Sequence, residues 1–169
     1  MLNDLIKLKK ANIKSLNQNW LDWLNDKEVN KFSKKSNKIH TLISQKKYLS
    51  KIFKSKSKIL FMVVYRNRDI GTMLISKISK NKSECEISYM IGAKKLWNKN
   101  IGTKIIRSIS NYIFKNLHLK KINAGVREDN LPSQKILLKN GFKLKKVKKT
   151  DIKKNKRYLK SLFFQKVKK

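Results

Sequence analysis

From Ile59 to Ile91 the apolar residues fall in continuous or alternating runs, whereas on both sides of that stretch they recur at the three- and four-residue spacing of helices. A short strand is expected around Leu5 to Leu8. A helix from about Ile13 to Leu24 follows, with Leu16, Trp20, Trp23 and Leu24 at helical spacing and Asn25-Asp26 ending it. Thr41 is placed to cap a second helix, in which Leu42, Leu49 and Phe53 share one side with Gln45. The period then changes. Residues 59–65 form an apolar, β-branched run, Asn67-Arg68-Asp69 reads as a turn, and Ile70 to Ile78 as the hairpin partner. Glu84 to Ile91 is the next strand, with Glu86, Ser88 and Met90 on one face and Cys85, Ile87, Tyr89 and Ile91 on the other.

A longer helix is expected from Ile101 to about Lys115, its apolar stripe made by Ile101, Ile105, Ile109, Tyr112 and Ile113. Lys121 to Val126 is a strand. Asn130 then caps a short helix that holds Pro132 in its first turn and ends at Gly141, and strands starting at Phe142 and running from Arg157 to Val167 close the chain. This order predicts a mixed α/β (α+β) fold, a central mixed sheet of six to seven strands flanked by about four helices.

Composition narrows the function classes. A chain of 169 residues with 40% hydrophobic content suits a single domain spanning residues 1–169. No apolar run reaches the length of a membrane span, and Met1-Leu2-Asn3-Asp4 lacks the basic start of a signal peptide, so a cytoplasmic location is expected. Cys85 is alone, and with only His40 and His118 beside it no metal site is expected. Neither histidine is assigned chemistry; His118 follows a helix, where a cation is welcome. The net charge of +34 would suit nucleic acid, but the positive charge is almost all lysine, whereas base readout and bidentate phosphate clamps favour arginine. Heavy use of Lys, Asn and Ile is also what an AT-rich genome encodes. The field favours anionic ligands and disfavours polyamines, with no obligatory nucleic acid.

The stretch richest in chemistry is Ile91-Gly92-Ala93-Lys94-Lys95-Leu96-Trp97-Asn98-Lys99-Asn100-Ile101-Gly102-Thr103, a strand leading through a polar loop into a helix. Such a turn aims unpaired N–H groups and the positive end of the helix dipole at one point, where a pyrophosphate fits. Gly102 permits close backbone approach, Asn98 and Asn100 are suited to left-handed conformations, and Lys99 adds charge. An Asn-rich connection before a helix explains the local pattern equally well.

In context, the segment resembles the acetyl-coenzyme A loop of the GNAT N-acetyltransferases. Trp97-Asn98-Lys99-Asn100-Ile101-Gly102-Thr103 is similar to the Trp-Gly-Lys-Gly-aromatic-Gly-Thr string of the ribosomal-protein acetyltransferase branch, with asparagine at both loop glycines and Trp97 where Gln or Arg is usual. A second block resembles the family at the right distance: Ala124 to Ser133, then Ile136 to Phe142, matching its strand, Asn-x-x-Ser helix start and terminal Gly-Phe. The likeness also takes in Glu86 to Gly92 and, loosely, Trp23 to Asp26. It implies a sheet splayed between the strands ending at Ile91 and Val126, acetyl-CoA as cosubstrate, its pantetheine arm on the backbone of Tyr89, Met90 and Ile91, and its phosphates on Trp97 to Thr103.

Amine acetylation needs a neutral nucleophile, a polarised thioester carbonyl and a proton for the departing thiolate. Glu86 is the foremost candidate base, acting through water; a surface carboxylate paired with lysine is the alternative. Many family members carry an acidic tyrosine where this chain has Leu137, which leaves Ser133 as the available hydroxyl. Asn130 is positioned to hold the cofactor amide or that hydroxyl, and helix capping accounts for both residues as well. Trp20, Trp23 and Phe32 are candidates for lining the acceptor pocket, or for core packing.

Three readings follow. The stretch from Trp23 to Ser33 and on through Thr41 to Tyr48 resembles GNAT enzymes of surface-polysaccharide pathways, implying a small-molecule amine, a nucleotide-linked amino sugar. The ribosomal-protein branch implies a protein N-terminus. A basic nucleic-acid-binding module without catalysis is the third. Oligomeric state is not legible.

Overall fold

The protein, described here from a computed structural model, is seen over residues 6–33, 38–154 and 157–168. The elements are β1 (Ile6–Lys10), α1 (Gln18–Asn25), α2 (Lys27–Asn30), α3 (Leu42–Phe53), β2 (Ile59–Tyr65), β3 (Arg68–Ser79), β4 (Glu84–Ile91), α4 (Ile101–Asn116), β5 (Lys121–Arg127), α5 (Leu131–Lys139), β6 (Lys143–Lys154) and β7 (Arg157–Val167). The strands form one seven-stranded sheet in the order β1-β2-β3-β4-β5-β7-β6. Only the β4–β5 pair is parallel; the other five are antiparallel. The strand expected around Leu5 to Leu8 is β1, which spans Ile6–Lys10; Leu5 lies outside the described residues.

Asparagine chemistry reshapes the first helix. Instead of one helix from Ile13, a 3-10 turn spans Ile13–Ser15 and α1 starts at Gln18. The Asn12 side chain accepts from the Lys14 N–H, and the Asn17 side chain accepts from the Trp20 N–H, so each asparagine starts its own segment. Asp26 likewise opens an unanticipated element: its carboxylate accepts from the N–H groups of Glu28 and Val29 and caps α2. The hairpin turn is also one residue earlier than expected. Arg66 and Asn67 are both left-handed, with φ of 48° and 60°, as a two-residue type I′ connection requires, and Tyr65 pairs with Arg68.

Each sheet face buries a cluster. On one, the α4 stripe of Ile101, Ile105, Ile109 and Ile113 packs on Met73, Ile75, Cys85, Ile87, Ile122 and Ala124. Each such fully buried isoleucine contributes about 1.5–3 kcal/mol. On the other, Trp20 of α1 and Leu49 and Ile52 of α3 cover Leu60 and Met62. Burial pushes the Cys85 thiol up to about 12, which makes it an inert core residue.

Gly92, just beyond β4, is forced by close approach: a Cβ there would fall inside the Trp23 indole. Trp23 therefore packs over the exit of β4. Gly92→Ala should lower stability by about 1–3 kcal/mol, read as a lower urea midpoint with a changed tryptophan signal. An unchanged midpoint would mean that Trp23 does not hold this position.

Candidate active site

Strands β4 and β5 begin as neighbours and then part. Glu84, Cys85 and Glu86 pair with Lys121, Ile122 and Asn123, yet β4 runs on to Ile91 and β5 to Arg127 without further pairing. Asn123, on the last rung, links polar side chains across three strands: Gln165 Nε2 donates to Asn123 Oδ1, and Asn123 Nδ2 donates to Glu84 Oε2. Beyond it a cavity of about 1400 Å³ opens between the strands, bordered by the N-terminal ends of α4 and α5 and by α1 to α3.

Alternation decides which backbone groups face the gap. The Gly92 N–H bonds to Ile70 O, on the β3 side. Counting back along an extended strand, the N–H and C=O groups of Tyr89 and Ile91 therefore turn away from β3, toward the space that β5 has left. The Ile91 carbonyl accepts from Trp97 Nε1 at 2.9 Å. Trp97 thus braces the loop against the strand end, while Tyr89 keeps its backbone directed into the gap.

At the loop itself, Asn98 and Asn100 both adopt left-handed backbone, with φ of 60° and 61°, as their replacement of glycine requires. Asn100 makes no side-chain cap, so the first-turn N–H groups of Ile101, Gly102 and Thr103 are left to the positive end of a 16-residue helix. Trp97, Asn98, Ile101, Gly102 and Thr103 line the cavity; Lys99 and Asn100 shape the loop outside the lining. Gly102 serves packing as well as access: a Cβ would stand 2.6 Å from Ile136 Cδ1, so its absence lets α5 close on α4. Buried Asn140 fixes that contact, donating to Thr103 O at 3.2 Å and Ile136 O at 2.9 Å.

Across the gap, Tyr89 Oη and Ser133 Oγ are hydrogen-bonded at 2.9 Å, joining β4 to the first turn of α5. Asn130 caps α5 by accepting from the Ser133 N–H at 3.2 Å. Tyr89, expected as a backbone contact and a groove-lining ring, also brings its hydroxyl to Ser133. Burial raises the tyrosine pKa above its ordinary 10.0, and the bond to Ser133 opposes the rise. Leu137 is fully buried in the core and takes no part.

Glu86 is not brought to the cavity. It shares a face with Ser88 and Met90, which line it, but its own carboxylate meets Lys77 Nζ at 2.6 Å. On the acceptor side, Trp20 and Phe32 reach the cavity and Trp23 packs on Gly92 instead. Phe32 carries the Arg127 guanidinium at 5.1 Å, and Arg127 grips Asp129 bidentately at 2.6 and 3.0 Å. Sequence reasoning passed over this ion pair. The signal available was arginine itself, since lysine serves almost everywhere else in the chain. It also set aside His40, which lines the same wall with Gln45 and Tyr48.

Residues 6–143 match the acetyltransferase (GNAT) domain. The chain belongs to the GNAT family. Such a domain takes acetyl-CoA as its cosubstrate and acetylates an amine, and the gap fits that cosubstrate: exposed β4 backbone, a left-handed loop and an uncapped helix start border one cavity. Uncharacterized N-acetyltransferase p20 of Bacillus licheniformis is 30% identical over 79 residues, a stretch that covers 46% of this chain and 44% of that protein. The ribosomal L7/L12 α-N-protein acetyltransferase RimL, solved with coenzyme A, aligns over 99% of this chain and 96% of its own with TM-score 0.83 at 13% identity. The Vibrio cholerae spermidine N-acetyltransferase, solved with CoA and spermine, aligns over 96% and 95% with TM-score 0.83 at 16% identity. At such identity the likeness is one of fold. Among the described residues no helix of this GNAT domain is long and apolar enough to cross a membrane.

The Tyr89–Ser133 bridge has a stability consequence with a defined sign. Because the folded protein holds the Tyr89 proton more tightly than the unfolded chain, this contribution is complete below about pH 10 and is lost as pH rises through the raised value. Unfolding free energy should therefore fall more steeply between pH 9 and 11 in the wild type than in Tyr89→Phe. Equal slopes would show that the phenol is not held protonated by its site.

Proposed function

We propose that this GNAT domain acetylates the amine of an anionic small molecule, a nucleotide-linked amino sugar. The observation that carries the reading is the charge of the cavity wall. Among the described residues, Lys31, Lys38, Arg127, Lys135 and Lys139 line it against Glu28 and Asp129. Both carboxylates are engaged, Glu28 by Lys94 at 2.8 Å and Asp129 by Arg127. A diphosphate is drawn to such a wall and a polyamine is repelled. Trp20, Phe32 and Tyr48 add aromatic surface of the kind that receives a sugar or base.

Acetyl-CoA supplies the activated acetyl group as a thioester. The chain's own residues supply orientation and protons. Tyr89 and Ile91 direct backbone hydrogen-bonding groups into the gap, and the α4 start receives phosphate. The Ser133 hydroxyl, in contact with a phenol that burial keeps protonated, holds the proton needed by the leaving thiolate. Glu86, outside the cavity lining and paired with Lys77, is left to accept the amine proton only through water along the face it shares with Ser88. The alternative acceptor, a protein N-terminus, would use the same proton-transfer groups but would not need the basic wall.

Ser133→Ala should lower kcat on the order of 10²-fold with little change in KM, the pattern of a group that acts mainly in the transition state. Glu86→Gln should alter the pH dependence of kcat/KM. Full turnover in the first variant, or an unaltered profile in the second, would remove that residue from its role.

The acceptor is settled by competition. Given equal amounts of a UDP-linked 4-amino sugar, a ribosomal-protein N-terminal peptide and spermidine, the enzyme should acetylate the sugar nucleotide most, as read by mass spectrometry. Raising salt should depress its rate more at low than at saturating substrate, because screening acts on encounter. Preferential acetylation of the peptide or of spermidine would overturn the sugar reading.

A further inference from the structure

The acceptor wall holds a histidine whose ring is fixed at one nitrogen and free at the other. His40 lies just before Thr41, the residue that caps α3, and lines the cavity. Its backbone is clamped from both sides by one side chain: the His40 N–H donates to Asn25 Oδ1 at 2.8 Å, and Asn25 Nδ2 donates to His40 O at 2.9 Å. Its ring is fixed by Gln45, whose Nε2 meets His40 Nδ1 at 3.0 Å. Gln45 is itself buried on the inner side of α3.

Among the described residues, His40 Nε2 is the buried side-chain polar atom that lacks a hydrogen-bond partner. Such atoms are rare in folded proteins, and leaving one unpaired costs about 1–3 kcal/mol. Here the cost accompanies a side chain held by two neighbours, Asn25 and Gln45, which is the arrangement of a pre-organised binding group. With the Gln45 amide donating to Nδ1, the neutral ring carries its proton on Nε2. The ring then holds an unpartnered donor within the cavity wall.

We infer that His40 is a specificity-determining residue that donates its Nε2–H to an oxygen of the acceptor molecule. The inference deepens the acetyl-transfer reading above and rests on it. It selects a class of amine: one that carries a hydroxyl, carbonyl or phosphate oxygen beside the reacting nitrogen. Spermidine has no such oxygen, and its ammonium groups are all donors, so it would leave Nε2–H unpaired and meet a basic wall as well. A polyhydroxylated amine satisfies it.

Two measurements test this. His40 and His118 are the chain's two histidines, so ¹⁵N-histidine labelling gives two ring spin systems, with His118 as internal control. The free protein should show the Nε2–H tautomer for His40. With CoA present, addition of the UDP-linked 4-amino sugar should move the His40 Nε2 resonance and leave His118 in place. In turnover, His40→Phe, which keeps an aromatic ring, should raise the acceptor KM about tenfold or more while acetyl-CoA KM and melting temperature hold, the effect of one lost hydrogen bond to a buried donor. His40→Gln, whose amide offers an N–H, should recover most of that loss, and Gln45→Leu should raise acceptor KM by loosening the ring. Should the peptide prove to be the amine that binds, the sugar reading fails by itself and the His40 resonance is read with the peptide, whose carbonyl oxygens can accept; spermidine as the bound amine overturns both readings. A bound acceptor that leaves His40 Nε2 unmoved, or an unchanged acceptor KM in folded His40→Phe, overturns the inference. Calorimetry showing that none of the three amines binds sinks both readings together.

Discussion

Everything functional in this chain depends on two parallel strands that pair for three residues and then separate. A continuous β4–β5 ladder would satisfy the backbone of Tyr89 and Ile91 and leave no room for a ligand arm. By stopping at Glu86–Asn123, the sheet leaves hydrogen-bonding groups exposed inside the protein, where unpaired peptide groups are costly. The arrangement persists because the two halves of the sheet are held by contacts that do not cross the gap as a ladder.

Those contacts are specific. Tyr89 reaches Ser133 across the opening, Trp97 occupies the last β4 carbonyl, and Asn140 ties the end of α5 to the first turn of α4. Glycine 102 lets α5 approach to the distance at which these bonds form. Tyr89, Trp97 and Ser133, which keep the halves in register, also line the cavity. The Tyr89–Ser133 contact belongs to the fold as well as to the proposed chemistry, so the pH dependence of stability reports on a catalytic candidate.

How far the sequence could be read follows from the range of each interaction. The loop was legible because asparagine at two glycine positions signals left-handed backbone, a property of single residues, and Gly141 at φ 79° ended α5 for the same reason. Strand order and the splay came from a family likeness, since the parting of β4 from β5 is fixed by contacts far apart in the chain. The helix from Ile13 was over-extended because apolar spacing carried on through Asn17, whose side chain competes for backbone and restarts the helix. Strand alternation placed Glu86 on its face but could not show its ion pair. Its partner Lys77 stands on a bulged, left-handed stretch of β3 that no spacing announces. His40 was overlooked for a similar reason: the residues that position it, Asn25 and Gln45, lie on different helices.

The heavy lysine content divides into two kinds of charge once the cavity is known. Most lysines are solvated, and their effect is a diffuse field that strengthens encounter with anions and weakens with salt. Arg127 is different in kind. Its planar head is committed on one edge to Asp129 and lies over the Phe32 ring, a geometry that an ammonium does not reproduce. That stack joins the end of β5 to the segment after α2, so it sets the distance between the acceptor wall and the gap where β4 and β5 part. In a chain otherwise so rich in lysine, the arginine marks the place where direction, and not charge alone, had to be specified.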